Sequence, residues 1–333
     1  MCGFLFSFIF VVILEPRFIT WLKVKKIAGQ PIREEGPKTH LDKKGTPTMG
    51  GAVVVMGIFF STLLFTDLTS TLVWLVTFIL LAFAWVGFLD DWRKIKKQDS
   101  KGLSEKEKLI FQIGFALIAG VFLVLKGFPT DISLPFVKDI TIGLGVFGFL
   151  ILSVLVIVGS SNALNLTDGL DGLAMGSLIS TAATYGIFAY VAGHKNIAEY
   201  LNVHQVVGAG EVSIIIASLV GAGLGFLWYN SYPAQVFMGD LGALSLGALI
   251  GVTALIVKHE LILIVAAGVL VTEALSVLIQ RYYFKLTGKR FFRMAPIHHH
   301  FELLGWAEPK IIVRFWIISI MLALVSLSTL KLR

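Results

Sequence analysis

Runs of about 20 apolar residues recur along the whole chain, each closed by a short polar segment. Ten stand out, at 3–21, 49–66, 71–89, 108–125, 140–158, 173–192, 211–228, 241–257, 261–284 and 310–330. A helix of that length spans the roughly 30 Å hydrocarbon layer of a bilayer. The two-residue alternation of a membrane β-barrel is absent. The pattern therefore predicts an all-α, polytopic integral membrane protein with about ten transmembrane helices. The gaps hold no soluble domain of ordinary size, so residues 1–333 read as one transmembrane domain. Met1–Ile13 has no basic stretch ahead of its apolar run, so residues 3–21 read as a retained span and not a cleaved leader.

The polar segments differ sharply in charge. Counting alternate segments from the first, 22–48, 90–107, 159–172, 229–240 and 285–309 fall on one side, and three of these five are basic: 22–48 carries Lys23, Lys25, Lys26, Arg33, Lys38, Lys43 and Lys44; 90–107 carries Arg93, Lys94, Lys96, Lys97, Lys101 and Lys106; 285–309 carries Lys285, Lys289, Arg290 and Arg293. The intervening segments offer mainly Lys126, Lys138, Lys195 and Lys258. By the positive-inside rule the first set is cytoplasmic and both termini lie outside. Overall composition agrees: 56% apolar and 15% charged, against about 25% charged in a soluble domain. The net charge of +7 follows from topology and does not indicate a nucleic-acid partner. A single cysteine, Cys2, excludes an internal disulfide framework.

The orientation gathers the unusual polar clusters on one side. In Asn162-Ala163-Leu164-Asn165-Leu166-Thr167-Asp168-Gly169-Leu170-Asp171-Gly172-Leu173, two acids, two amides and two glycines interrupt lipid-like sequence. Ionisable groups at such depth are expensive and mark functional sites. On a helical turn Asp168 and Asp171 would share a face. Asp90-Asp91 ends the third run, where adjacent carboxylates repel unless a proton or cation intervenes. A solvated helix end accounts for Arg93, Lys96 and Lys97 but not for that pair. Asp240 opens the eighth run, either as a helix N-cap or as a ligand for a hard divalent cation such as Mg²⁺. His298-His299-His300 lacks the Cys or helical His pairing of a zinc site and suits contact with phosphate. Gly45-Thr46-Pro47-Thr48-Met49-Gly50-Gly51 is a turn, not a Walker loop. Lys43 and Lys44 before it could anchor the helix or meet a phosphate. Glu273 in the ninth run could pair with Arg281 or serve chemistry. Acids, a divalent metal, lysines and histidines at one membrane face fit phosphoryl transfer or lipid-phosphate hydrolysis. A cation-coupled transporter and a purely structural role are the competing classes. The first expects acids near the midplane in matched broken helices; the second leaves the cost of the polar clusters unexplained.

The glycine turn, Asp90-Asp91 with Lys94, the Asn162–Ala174 stretch, Phe237-Met238-Gly239-Asp240 and Ala295-Pro296-Ile297-His298-His299-His300-Phe301-Glu302 resemble the phospho-N-acetylmuramoyl-pentapeptide transferases. That group is a branch of the polyprenyl-phosphate N-acetylhexosamine-1-phosphate transferases. The resemblance implies an Mg²⁺-dependent enzyme of the bacterial cytoplasmic membrane, dimeric, with its active site facing the cytoplasm. It would move phospho-N-acetylmuramoyl-pentapeptide from UDP to undecaprenyl phosphate, giving lipid I and UMP in peptidoglycan synthesis. A sister enzyme using UDP-N-acetylglucosamine is the nearest alternative. By the same resemblance, Asp90, Asp91, Asp240 and His299 form the catalytic set, with Asp90 deprotonating or holding the lipid phosphate. Asp240 would bind Mg²⁺, with Asp91 and Asp168 close to the ion. Lys43, Gly169, Leu170, Asp171, Asn230 and Phe237 would form the uridine pocket, bordered by Asn165 and Asp168. Lys94, His298, His299 and His300 would contact phosphate or sugar.

Overall fold

A computed structural model describes residues 1–24, 45–97, 102–134 and 141–331. In chain order its helices are α1 (Cys2–Val24), α2 (Gly51–Phe65), α3 (Thr71–Lys97) and α4 (Glu105–Leu125), then α5 (Gly145–Thr167), α6 (Leu173–Gly193) and α7 (Lys195–Tyr200). They continue with α8 (Ala209–Asn230), α9 (Gly239–Ile256), α10 (Ile262–Ala266), α11 (Gly268–Thr287), α12 (Ile297–Glu302) and α13 (Glu308–Ser328). A short antiparallel hairpin, β1 (Asp131–Ser133) with β2 (Thr141–Gly143), pairs Ile132 with Ile142.

Every residue of α9 is buried, and α3, α5 and α2 pack around it. Its sequence explains how one helix can be enclosed on all sides. Glycines and alanines are interleaved with its leucines, and small residues let backbones approach where lipid offers no hydrophobic drive for association. Gly247 and Gly251 are one turn apart and face α5: a Cβ at Gly247 would stand 2.5 Å from the Ser160 carbonyl oxygen, and one at Gly251 would stand 2.8 Å from the Ile157 Cα. A second layer forms where α1 and α6 pack on α8. There Ser61 and Ser218 share a 2.7 Å hydroxyl bond, and Ser7 donates to the Ser218 carbonyl at 2.8 Å. Exposed apolar side chains such as Ile9, Ile118, Phe147, Leu155 and Met321 cover the outside of α1, α4, α5 and α13. That inside-out arrangement is what a lipid solvent requires.

Among the described residues eight helices are long and apolar enough to cross a membrane, which makes this a multi-pass membrane protein. The other two expected spans differ for local reasons. α2 has 15 residues, or about 22 Å at 1.5 Å each, short of the hydrocarbon thickness. The ninth run breaks at Ala267 between α10 and α11, and residues 281–290 are exposed. α4 begins at Glu105, fixed by a Ser104/Glu107 capping box. α5 starts later than expected and continues through Thr167, so the stretch 159–167, expected as a loop, is helix.

The ends of α3, α5 and α8 and the starts of α2, α4, α6, α9 and α13 meet at one end of the bundle; the start of α1 and the end of α13 lie at the other. At that opposite end Lys258, at the foot of α9, donates to the Pro129 carbonyl at 2.9 Å and holds the hairpin against the bundle. Replacing Gly251 with Leu should lower stability by about 1–3 kcal/mol through overpacking against α5. Thermal unfolding of the detergent-solubilised protein measures this, and an unchanged transition would show that α5 can yield.

Candidate active site

Asp90 and Asp91 are adjacent on α3, so their side chains leave the helix about 100° apart and meet different neighbours. Asp90 turns to the start of α4, where its Oδ1 accepts the Leu103 N–H at 2.8 Å. Asp91 turns to α9, and its Oδ2 accepts the Leu241 N–H at 3.1 Å. The first N–H groups of a helix have no partner within it, and Met238 at the N-cap supplies none. Asp91 therefore caps α9 from another helix. Of the two readings of Asp240, N-cap or cation ligand, the first does not apply: Met238 is the N-cap, and Asp240 sits in the first turn of α9 with its carboxylate near the other acids. The approach depends on Gly87, where any Cβ would overlap the backbone of Asp240 and Leu241.

One oxygen each from Asp90, Asp91 and Asp240 lies within 4.8 Å of the others. Two ammonium groups hold the carboxylates together. Lys94 Nζ stands 2.6 Å from Asp90, 3.3 Å from Asp240 and 3.9 Å from Asp91. Lys108 Nζ stands 2.6 Å from Asp240 and 3.3 Å from Asp90. Asn165 Nδ2 donates to the remaining oxygen of Asp240 at 2.9 Å. Three carboxylates against two ammonium groups leave one negative charge in excess, and Asp91 Oδ1 is buried without a hydrogen bond. An all-oxygen donor set with excess negative charge and an orphaned carboxylate oxygen fits a hard cation. Asp90, Asp91 and Asp240 are the residues that could hold it.

Asp168 is not in that three-acid set. It follows the last residue of α5 with φ −77° and ψ 52°, and residues 168–172 form a turn ending at Gly172 (φ 76°). Asp168 and Asp171 thus do not share a helical face as the spacing suggested. Asp171 binds loops instead: Oδ2 accepts the Ala234 N–H at 2.9 Å, and its own N–H donates to Glu308 at 3.0 Å. Leu170 is a core residue beside Leu173, Ile311 and Phe315. Asp168 is partly buried, and its pKa is pushed up to about 7, by loss of hydration first and then by the charges of Asp240 and Asp171.

Asn230 donates to the Val236 carbonyl at 2.8 Å, while its Oδ1 is buried and without a partner. Phe237 is clasped by the glycine turn: its N–H donates to Pro47 at 2.8 Å, and its carbonyl accepts from Gly50 at 2.9 Å. The ring stays half-buried. Lys43 and Lys44 lie outside the described residues. On α12, His298 is fully buried and its Nδ1 is 3.0 Å from Glu273 Oε2, so Glu273 pairs with His298 and not with the exposed Arg281. Gly169 packs directly on the His298 ring. His299 Nδ1 lies 2.6 Å from Glu302, and His300 Nδ1 accepts the Arg293 N–H at 3.1 Å. None of the three histidines joins the acid cluster.

Sequence reasoning missed Lys108, which it left inside an apolar run. The available signal was Ser104-Glu105-Lys106-Glu107: a capping box there starts the helix at 105 and places Lys108 in the first turn. Replacing Lys108 with Gln should cut turnover by about 100-fold or more, because losing one partner of a desolvated charge pair costs about 2–5 kcal/mol. A steady-state rate within threefold of the unaltered protein would exclude Lys108 from the chemistry. Asp168 carries a pH signature. Its folded pKa is raised, so below about pH 4 both states are protonated and it contributes nothing. Between about pH 4 and pH 7 the unfolded carboxyl ionises first, and stability falls as pH rises. With EDTA present, Asp168→Asn should flatten the decline of melting temperature across that interval; an unchanged slope would assign the decline elsewhere.

Residues 71–258 match the family model of glycosyl transferase family 4. Over 323 residues, 96% of this chain and 89% of the relative, the sequence is 53% identical to the phospho-N-acetylmuramoyl-pentapeptide-transferase of Syntrophus aciditrophicus (strain SB). The matched segment runs from α3 through the end of α9 and contains all three clustered acids and both lysines. The chain belongs to glycosyl transferase family 4, among the phospho-N-acetylmuramoyl-pentapeptide transferases.

Proposed function

We propose that the protein transfers phospho-N-acetylmuramoyl-pentapeptide from its UDP conjugate to undecaprenyl phosphate, giving lipid I and UMP. The observation that carries the reading is the convergence of Asp90, Asp91 and Asp240 within 4.8 Å, bridged by Lys94 and Lys108, at one end of a bundle of membrane-length helices. A site there meets a water-soluble nucleotide from one side and a lipid phosphate from the other. The same end carries Arg93, Lys96, Lys97, Lys285, Lys289 and Arg290, which supports a cytoplasmic orientation in the bacterial inner membrane.

In the reaction, an oxygen of the lipid phosphate forms a bond to the sugar-linked phosphorus, and the bond from that phosphorus to the bridging oxygen breaks, releasing UMP. The acceptor is a phosphate monoester with a second pKa near 6, so it is largely ionised at neutral pH. Asp90 is held by the Leu103 N–H and two ammonium groups. It therefore acts more by fixing the charge lattice around the acceptor than by removing a proton. Lys94 and Lys108 stabilise charge on the phosphate oxygens as the bond to UMP lengthens. Asp90, Asp91 and Asp240 would hold Mg²⁺, which when bound screens the donor pyrophosphate from the acceptor. Both oxygens of Asp240 are engaged, one by Lys108 and one by Asn165. Lys108 and Asn165 fix the direction of the Asp240 carboxylate and leave each oxygen a further lone pair for a cation. The half-buried ring of Phe237 offers a stacking face for uracil, beside the unpartnered Oδ1 of Asn230.

Incubating the protein with radiolabelled UDP-N-acetylmuramoyl-pentapeptide, a polyprenyl phosphate and Mg²⁺ should move label into a butanol-extractable product with one UMP released per lipid formed. EDTA should abolish the transfer, and UDP-N-acetylglucosamine should not replace the donor. Label reaching butanol only from the N-acetylglucosamine nucleotide would assign the sister activity.

A further inference from the structure

Glu273 and His298 form a buried pair away from the three clustered acids. Glu273 lies on α11, five residues past its break from α10, and is 0% exposed. Its Oε2 receives both the ring Nδ1 of His298 at 3.0 Å and, at 3.5 Å, the His298 backbone N–H. Its other oxygen has no hydrogen bond. His298 is also 0% exposed, and its Nε2 has no hydrogen bond either. That Nε2 abuts Gly169, whose place only a residue without a side chain can fill. A buried unpaired polar group costs about 1–3 kcal/mol, and this pair leaves two. A core designed only for stability would use apolar residues here, since replacing both partners of such a pair is often neutral or stabilising.

The geometry has a specific chemical consequence. A carboxylate facing Nδ1 fixes the hydrogen on that nitrogen, because the carboxylate can only accept. It thereby directs the other nitrogen, Nε2, at the turn formed by Asp168, Gly169 and Leu170. Carboxylate–imidazole pairs set both tautomer and ring direction in this way. The backbone N–H of His298 bonding to the same oxygen also pins the start of α12, so one carboxylate sets both where the ring is and which way it points. We infer that Glu273 is a positioning residue for the transfer reaction, holding His298 so that Nε2 faces the polar turn where the sugar nucleotide would lie. This rests on the transferase reading above. Neither Glu273 nor the direction of Nε2 follows from the sequence motif, which offers three neighbouring histidines without distinguishing their surroundings.

The test is a double-mutant cycle on transfer kinetics, with Glu273→Gln, His298→Asn and both together. A residue that acts only through His298 has nothing left to contribute once the imidazole is gone. Glu273→Gln alone should lower kcat by about 10- to 100-fold, the range for loss of a carboxylate behind a working imidazole, with KM for the sugar nucleotide changed less than threefold. The double variant should be no slower than His298→Asn within twofold. Glu273→Gln at the full rate, or a double variant slower than His298→Asn by the whole Glu273→Gln factor, would overturn the inference. Should Glu273→Gln fail to fold, recovery of folded protein in the double variant would trace the defect to a buried imidazole left without its acceptor and support the pairing. Continued failure would show that Glu273 stabilises the fold independently of His298 and overturn it. If the unaltered protein moves no label into lipid, the transferase reading itself fails, an outcome distinct from all of these.

Discussion

Three carboxylates and two ammonium groups share the buried start of α9, and neither set could be there without the other. Asp90 and Asp91 are 1% exposed and Asp240 is 8% exposed. Like charges about 4 Å apart repel by about 4 kcal/mol even at an effective dielectric constant of 20. Lys94 and Lys108 offset most of that repulsion by reaching in from α3 and α4, each touching more than one acid. The arrangement fixes how four helices meet. α3 brings two acids and one lysine, α4 the second lysine, α5 the amide of Asn165, and α9 the third acid. A shift of any one of them by a single residue would strand a charge in a poorly hydrated environment.

That demand explains the composition of α9. A helix with large side chains could not bring its first turn against the side chains of another helix's last turn. The contact at Gly87 lets the backbone of Asp240 and Leu241 sit where a side chain would be, and the small residues further along keep α5 equally near. Asp91 then has two roles on one carboxylate. Oδ2 closes the open N–H of Leu241, while Oδ1 has no hydrogen bond and only the Lys94 ammonium at 3.9 Å. A residue that caps the helix carrying the third acid, and also faces the space between the acids, couples folding of the bundle to formation of the site.

The sequence revealed the membrane class, the helix count to within the two irregular spans, and the acids, because each depends on local pattern. Twenty apolar residues announce a span, and Asp90-Asp91 or Asp240 in such surroundings announces a cost that something must offset. What escaped the pattern was pairing across long separations. Glu273 and His298 are 25 residues apart and on different helices; within the ninth run the nearer candidate partner, Arg281, shares the same helix and so looked equally good. Lys108 was hidden for the opposite reason, since the run that followed it was apolar enough to absorb one charge. Asp168 and Asp171 do not share a helical face because α5 ends at Thr167 and Asp168 leaves the helix with ψ 52°, before any turn could join the two.

The single excess negative charge bears on how the site meets anionic substrates. A nucleotide pyrophosphate and a lipid phosphate would each add negative charge to a cluster already one unit negative. Each lysine is tied to two acids within 3.3 Å, so it meets a phosphate oxygen while still engaged by the cluster. With all three acids ionised, a divalent cation held by Asp90, Asp91 and Asp240 would bring the formal charge of the cluster from −1 to +1. It would add to the attraction that basic residues at this end, such as Arg93 and Lys96, exert on anionic substrates. The orphaned Oδ1 of Asp91 is the group whose burial makes sense only in the charged-up state. The lysine lattice keeps the acids close enough to act together and leaves them one positive partner short, which is the place a cation would fill.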